Sequence, residues 1–194
     1  MGKINGVVKD RYGNVLEHAE VLFADRAYNV LSSGYSNEDG EYYIMVNEKT
    51  NGIIVGTHSY GEDFLAFTFA NVSTHIPHHI DVVLGNVEFL NFSRLVTGNR
   101  EEYTCSFQLA SLERMKRGDR HLSPEFFRES LTVSVGGVTL DSYEIRSEII
   151  EVEGGKITMD GFELSFPSSV KDRGKVFVLT YEIGNSYGML KSYL

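Results

Sequence analysis

Residues 4–23, INGVVKDRYGNVLEHAEVLF, decide the fold. Apolar and polar positions alternate in "NGVVKD" and again in "AEVLFAD", and the turn residues "RYGN" lie between the two runs. Period-two alternation interrupted by Gly and Asn is the pattern of an antiparallel hairpin. The same style continues through "NVLSSGYS", the turn "NEDG", "EYYIMV", "NGIIVGTH", "EDFLAFTFANV" and "HIDVVLG". The second half repeats the style with new sequence: "VEFLNFSRLV", "EEYTCSFQLASLERM", "SLTVSVGG", "VTLDSYEIRSEIIEVEGG", "KITMDGFELSF", "KVFVLTYEIG" and "YGMLKSYL". Gly136-Gly137 and Gly154-Gly155 mark hairpins, because the favoured two-residue turns need positive φ. In "LSPEFFRES", Ser123 as N-cap and Pro124 at the first helical position predict one helical turn that packs Phe126 and Phe127 inward. A seam near Gly85-Asn86 divides the chain into residues 1–85 and 86–194, with a linker short enough to keep the parts in contact. The fold read from these patterns is all-β, two antiparallel β-sandwiches in tandem.

The chain has 194 residues, 42% of them hydrophobic and 23% charged, enough for a packed core under a solvated surface. Its net charge of -9 argues against nucleic acid, which requires cations to displace phosphate counterions, and against anionic membranes. The single cysteine, Cys105, forbids an intrachain disulfide and a multi-thiolate zinc site, and its place in "YTCSFQL" makes it a small core residue. No apolar run is long enough to span a bilayer, and "MGKINGVV" lacks the apolar region of a signal peptide. The chain as written is expected to be cytoplasmic, with a secreted protein whose leader is missing as the alternative.

Three places in residues 3–85 carry a family resemblance. The opening has Gly6, Val8, Asp10, Gly13, Leu16, Ala19 and Val21 at the positions of a G-x-V-x-D-x-x-G-x-P-L-x-G-A-x-V pattern. "GYSNEDGEYYIMV" supplies Asp39, Gly40 and Tyr42 of a T-x-x-D-G-x-F/Y hairpin, and "HIDVVLG" supplies the closing strand. On these residues the segment resembles the carboxypeptidase regulatory-like domain, a transthyretin-like (prealbumin-like) β-sandwich. Val15 stands where that family usually has Pro, and His18 where it usually has Gly. The resemblance implies that Gly13 and Asn14 turn the first hairpin and that Asp10 hydrogen-bonds the turn backbone. Val8, Val21 and Phe23 then face the core, and His18 is a solvated loop residue. It also implies a scaffold or accessory role beside another activity, which fold alone does not assign. Residues 86–194 are similar to Ig-like sandwiches, as in many bacterial Ig-like modules.

Several residues are candidates for chemistry. "THIPHHID" places His75, His78 and His79 together; imidazole is the commonest metal ligand, and His75 with His78 could meet across Pro77 if His58 or Asp81 completed the set. Strand geometry sends His78 and His79 to opposite faces, so the bland reading is a polar loop entering the last strand. Arg114, Lys116, Arg117, Arg120 and His121 form a basic loop in an acidic chain, suited to an anionic partner or simply solvated. Arg117-Gly118-Asp119 within it is a three-residue coincidence with an adhesion tripeptide, and Asn71 and Asn91 head glycosylation acceptor patterns. Tyr12, Tyr28, Tyr35 and Tyr60 lie in or beside predicted turns, where exposed rings could stack on sugars or a partner, although the chain has no Trp.

No nucleophile elbow, phosphate-cradling Gly loop or Cys beside a base is present in the sequence. The leading expectation is therefore a non-catalytic binding or accessory protein, without a cofactor, presenting loops or a sheet edge to a macromolecular partner. A carbohydrate-binding module that assists a glycan-active enzyme is the first alternative. A metal-dependent enzyme using His75, His78 and His79 is the second. The long strand 143–153 offers an edge open to homodimerisation.

Overall fold

A computed structural model describes residues 2–47, 49–95, 102–167 and 172–194. The first half contains β1 (Gly2–Asp10), β2 (Glu20–Asp25), β3 (Val30–Tyr35), β4 (Glu41–Val46), β5 (Asn51–Thr57), β6 (Phe67–Ser73), β7 (His78–His79) and β8 (Val82–Leu84). The second contains β9 (Val87–Leu95), β10 (Glu102–Ser111), α1 (Leu112–Arg117), β11 (Leu131–Val135), β12 (Val138–Thr139), β13 (Glu144–Val152), β14 (Ile157–Pro167), β15 (Val176–Ile183) and β16 (Ser186–Tyr193). Among the described residues the chain is all-β apart from α1 and single turns of 3-10 helix, as the alternating runs require.

The strands form three sheets. One four-stranded sheet has β4 and β1 antiparallel, with β7 and β8 both running parallel to β1. A second has the order β13-β14-β10-β9. Both lie against a single eight-stranded sheet of order β12-β11-β15-β16-β6-β5-β2-β3. That sheet passes from one half to the other where β16 pairs in parallel with β6, Leu190 opposite Thr68 and Ser192 opposite Ala70. The two sandwiches are thus fused through a shared layer.

Two apolar clusters fill the space between layers, one built from residues between Ile4 and Leu84 and one from residues between Val87 and Leu190. Val8, Val21 and Phe23 are fully buried in the first, but β1 and β2 are not the hairpin pair that the sequence suggests. After a single bridge, Lys9↔Val15, the chain crosses to the opposite layer; β2 pairs there with β3 and β5, while β1 pairs with β4, β7 and β8. The second is largely aromatic: the Phe177 ring lies 5.3 Å from Tyr103 and 5.5 Å from Phe166, and Phe107 stacks on Phe162 at 5.3 Å. Cys105 is buried there, and burial pushes its thiol up to about 12, so it is an inert core residue. The last strand serves both clusters, with Leu190 in the second and Met189 and Tyr193 packed on the first.

One turn recurs in the first half. Asp10 Oδ1 accepts from the Tyr12 and Asn14 amides and its Oδ2 from Asn14 Nδ2. Asp25 does the same with Ala27 and Asn29. Burial opposes ionisation of Asp10 more than any single bond favours it, but the bonds from Asn14, Tyr12 and Gly13 together hold its carboxyl below the usual range. The fourth residue of each turn takes the left-handed conformation: Gly13 at φ 89° in "DRYGN", but Tyr28 at φ 63° in "DRAYN". His18 at φ 58° likewise adopts a conformation natural to glycine.

Three further local expectations differ from the structure. The run "EEYTCSFQLASLERM" is not one strand: β10 stops at Ser111, whose hydroxyl caps the N-terminus of α1, and Gly118 ends the helix in the left-handed conformation. Ser123 caps no helix. Its buried hydroxyl donates to the Leu109 carbonyl at 2.7 Å and accepts from the Asp160 amide at 2.7 Å, stitching this loop to β10 and β14. The helical turn falls later, at Arg128–Ser130, so that Phe126 packs on Phe162 while Phe127 remains exposed. Gly136, Gly137, Gly154 and Gly155 all have positive φ in their turns.

Polar links cross between the halves. Asn86 Oδ1 accepts from the Tyr187 amide, Asn71 Nδ2 donates to Ser192 Oγ, and Lys191 Nζ donates to the Asp81 carbonyl. Arg11 reaches Glu182 at 3.0 Å with its guanidinium between the rings of Tyr12 and Tyr187. Tyr60 Oη donates to Glu88 Oε2 at 2.9 Å. Burial raises the Glu88 carboxyl above its ordinary value, against the lowering effects of Tyr60 and the Ala66 amide. A folded state that holds this proton more tightly than the unfolded chain loses stability as pH rises through 4.5 and beyond. Glu88→Gln, which keeps the shape without the charge, is therefore expected to raise the melting temperature at neutral pH and to change little near pH 4; melting curves at the two pH values check this.

Candidate binding groove at the junction of the halves

A groove of about 620 Å³ opens where the two halves meet. Its first wall is the Asp25–Asn29 turn after β2, which contributes Arg26 and Tyr28. Asn51, Gly52 and Ile53 of β5 and Ala70 and Asn71 of β6 form the floor. The opposite wall is Phe92, Ser93 and Arg94 of β9, with Tyr193 at the end of β16.

Leu194 completes the lining, whose charged side chains are Arg26, Arg94 and Asp25. Asp25 is the acidic side chain among the lining residues, and both of its oxygens are occupied by its own turn. Among the described residues no carboxylate pairs with Arg26 or Arg94. Arg94 lies over the Tyr103 ring at 5.0 Å, a contact that fixes its direction without consuming its hydrogen-bond donors. Tyr28 is 72% exposed, so its left-handed backbone is held by the hydrogen bonds of its own turn and not by packing of its ring. Strain kept without a packing return is found at functional positions.

The four turn tyrosines do not converge. Tyr28 is at the β2-end of the first half, whereas Tyr35 lies at the opposite end of the same sheet, across from Glu20. Tyr12 holds Arg11, and Tyr60 is committed to Glu88 with its hydroxyl pushed up to about 12 by burial and that carboxylate. Tyr35 does gain a neighbour the sequence reading passed over. Together with Tyr43, His79, Asn5 and Asn37 it lines a shallow groove of about 440 Å³ on the outer face of β1 and β4. Alternation could have found Tyr43, since in "EYYIMV" one of two adjacent tyrosines must face out: Tyr42 is buried and Tyr43 exposed.

The histidines separate. His78 is buried, with Nε2 donating to the Ser73 carbonyl at 2.6 Å and Nδ1 meeting the Tyr193 hydroxyl at 3.1 Å, so both ring nitrogens are engaged. His75 bonds Ser73 Oγ, and His79, on the other face, lies 3.3 Å from Asp81. Among the described residues no three His, Cys, Asp or Glu side chains are arranged to hold an ion. Most of the basic loop is tied to the fold: Arg117 pairs with Glu113 and Asp119, Lys116 bonds the Glu62 carbonyl, Arg120 bonds the Gly155 carbonyl, and His121 faces Asp160, while Arg114 lies in α1. The Arg117-Gly118-Asp119 tripeptide is folded into the helix cap, and the amides of Asn71 and Asn91 are bonded to Ser192 and Gln108.

No family model and no curated protein matches the chain in sequence. Solved structures that overlap it include BcpA, the major pilin subunit of Bacillus cereus, at 11% identity and TM-score 0.31, covering 98% of this chain and 67% of that one. The D1-D2 portion of Rst overlaps at 10% identity and TM-score 0.28, over 92% of this chain and 86% of that one. The Ig1–Ig3 ectodomain of mouse nectin-like molecule 4 overlaps at 13% identity and TM-score 0.31, over 97% and 65%.

Proposed function

We propose that the protein is a non-catalytic binding module, an accessory domain pair of the carboxypeptidase regulatory-like and Ig-like kind, that grips an acidic segment of a macromolecular partner in the junction groove. The supporting observation is the pair of arginines, Arg26 and Arg94, that line one groove without a carboxylate partner among the described residues, in a chain whose net charge is -9. Guanidinium forks bind carboxylates bidentately, and the aromatic wall of Tyr28, Phe92 and Tyr193 adds apolar contact beside them. Fluorescence anisotropy with a labelled Asp- and Glu-rich peptide tests this. Saturable binding that falls at least tenfold in Arg26→Glu/Arg94→Glu supports the reading; no binding at low salt, or equal binding by the variant, overturns it. Tyr28→Gly should separate the two roles of that residue. It is expected to stabilise the fold by about 0.5–1 kcal/mol through relief of left-handed strain while weakening the peptide, as read by melting temperature and anisotropy.

A second reading, glycan recognition, is favoured by the exposed Tyr35 and Tyr43 beside His79 and Asn37, since pyranose C–H faces pack on aromatic rings. A thermal shift with an oligosaccharide that disappears in Tyr43→Ala would support it. A flat screen would remove it.

A further inference from the structure

Strand β13 is the outer strand of the β13-β14-β10-β9 sheet. It pairs with β14 along its whole length, from Glu144↔Ser165 to Val152↔Ile157, and among the described residues no strand lies on its other side. A nine-residue unpaired edge is a template for another strand. Its residues divide by parity. Ile145 packs against the second core, so Ser147 and Ile149 share that face, while Arg146, Glu148 and Ile150 face outward over Gly161. Ile149 is 71% exposed. The Arg146–Glu144 pair is long at 3.9 Å, with side chains 80% and 79% exposed, and contributes little to one molecule alone.

We propose that this edge is completed by a second copy of the chain, pairing antiparallel about a dyad at Ser147. A dyad perpendicular to the sheet keeps core face beside core face, so the residue at its centre must meet itself. A centre at Arg146 would oppose Arg146 to Arg146 and Glu144 to Glu148. A centre at Glu148 would oppose two glutamates. Only the Ser147 centre, among these three, sets Arg146 opposite Glu148 twice and Ile145 opposite Ile149 twice. Cross-strand pairs of opposite charge and of β-branched residues stabilise a ladder, and like charges directly opposite destabilise it. The alternating Glu144, Arg146, Glu148 signs that would repel a foreign strand thereby specify register with the chain's own copy. The four-stranded sheet continues as eight strands across the dyad. This edge is separated by β14 and β10 from β9, the wall of the junction groove, so its test is independent of the peptide test.

Sedimentation equilibrium of the full chain over a wide concentration range reads the association directly. The wild type is expected to populate a dimer that weakens with added salt. Arg146→Glu and Glu148→Arg should each weaken it by about tenfold or more, since each converts both symmetric pairs to like charges. Mixing these two variants should restore association, because each supplies the charge that the other lacks, and the double swap Arg146→Glu/Glu148→Arg should restore it within one chain. Unchanged melting curves confirm that the variants fold. A wild type that is monomeric throughout overturns the proposal. So does a dimer indifferent to the single reversals, or one that neither mixing nor the double swap restores.

Discussion

Gly85→Ala is expected to lower folding stability by about 3 kcal/mol, at the upper end of what overpacking costs. A Cβ on Gly85 would sit on the Tyr187 carbonyl, with the Tyr187 ring a further 2.8 Å away. One residue pair along, a Cβ on Gly188 would meet the Val87 carbonyl in the same manner. The two glycines let the connection between β8 and β9 lie directly on the start of β16. Backbone lies on both sides, so no side chain can rotate away and the shared sheet itself would have to shift. Gly85 cannot relax on its other side either, since its carbonyl accepts from the Leu65 amide at 2.8 Å. Urea unfolding followed by circular dichroism gives the loss. A variant as stable as the wild type would show that the linker is not clamped.

Phe177→Ala is expected to cost about 3–5 kcal/mol, the usual range for removing a buried aromatic ring. Phe177 is fully buried and touches Tyr103, Phe166 and Phe92, so the vacancy would be lined by rings too rigid to close it. Because β15 carries Phe177 and pairs with β16, which in turn pairs with β6, the loss should be felt in the first half as well. A single shifted transition is the expected outcome. Two transitions, with only the second half weakened, would mean that the halves unfold independently.

Many strands were legible because one face is buried and the other solvated, which writes alternation into the sequence; β4, with Tyr42, Ile44 and Val46 inside, is the clearest case. The β11–β12 hairpin was legible because Gly136 and Gly137 supply conformations that other residues resist, whereas Gly13 marks a turn that closes a single bridge before the chain changes layers. The fusion of the two sandwiches was not. The β6–β16 ladder involves three residues on each strand, far apart in sequence, and parallel pairing leaves no turn signature. Helix α1 was hidden because Leu112 and Met115 prolong the apolar rhythm of β10 by chance. Of the groove, Tyr28 was visible as a turn aromatic, but Arg94 lies in a strand and Arg26 looked like any turn residue. Their convergence depends on how the halves meet. The basic loop drew attention through charge alone, and its partners, Glu62, Gly155 and Asp160, come from other parts of the chain.

The parallel pairing of β16 with β6 has a consequence for the order of synthesis. During translation β6 emerges long before its partner, because about 120 residues separate Ala70 from Ser192, or roughly 10 s at ordinary elongation rates. For that interval the nascent first half carries an open edge beside Phe69 and Asn71, shielded by neither β16 nor the second half. Translation pausing within residues 86–185 should prolong this exposed stage and favour capture by chaperones or by another nascent chain, whereas pausing earlier should not.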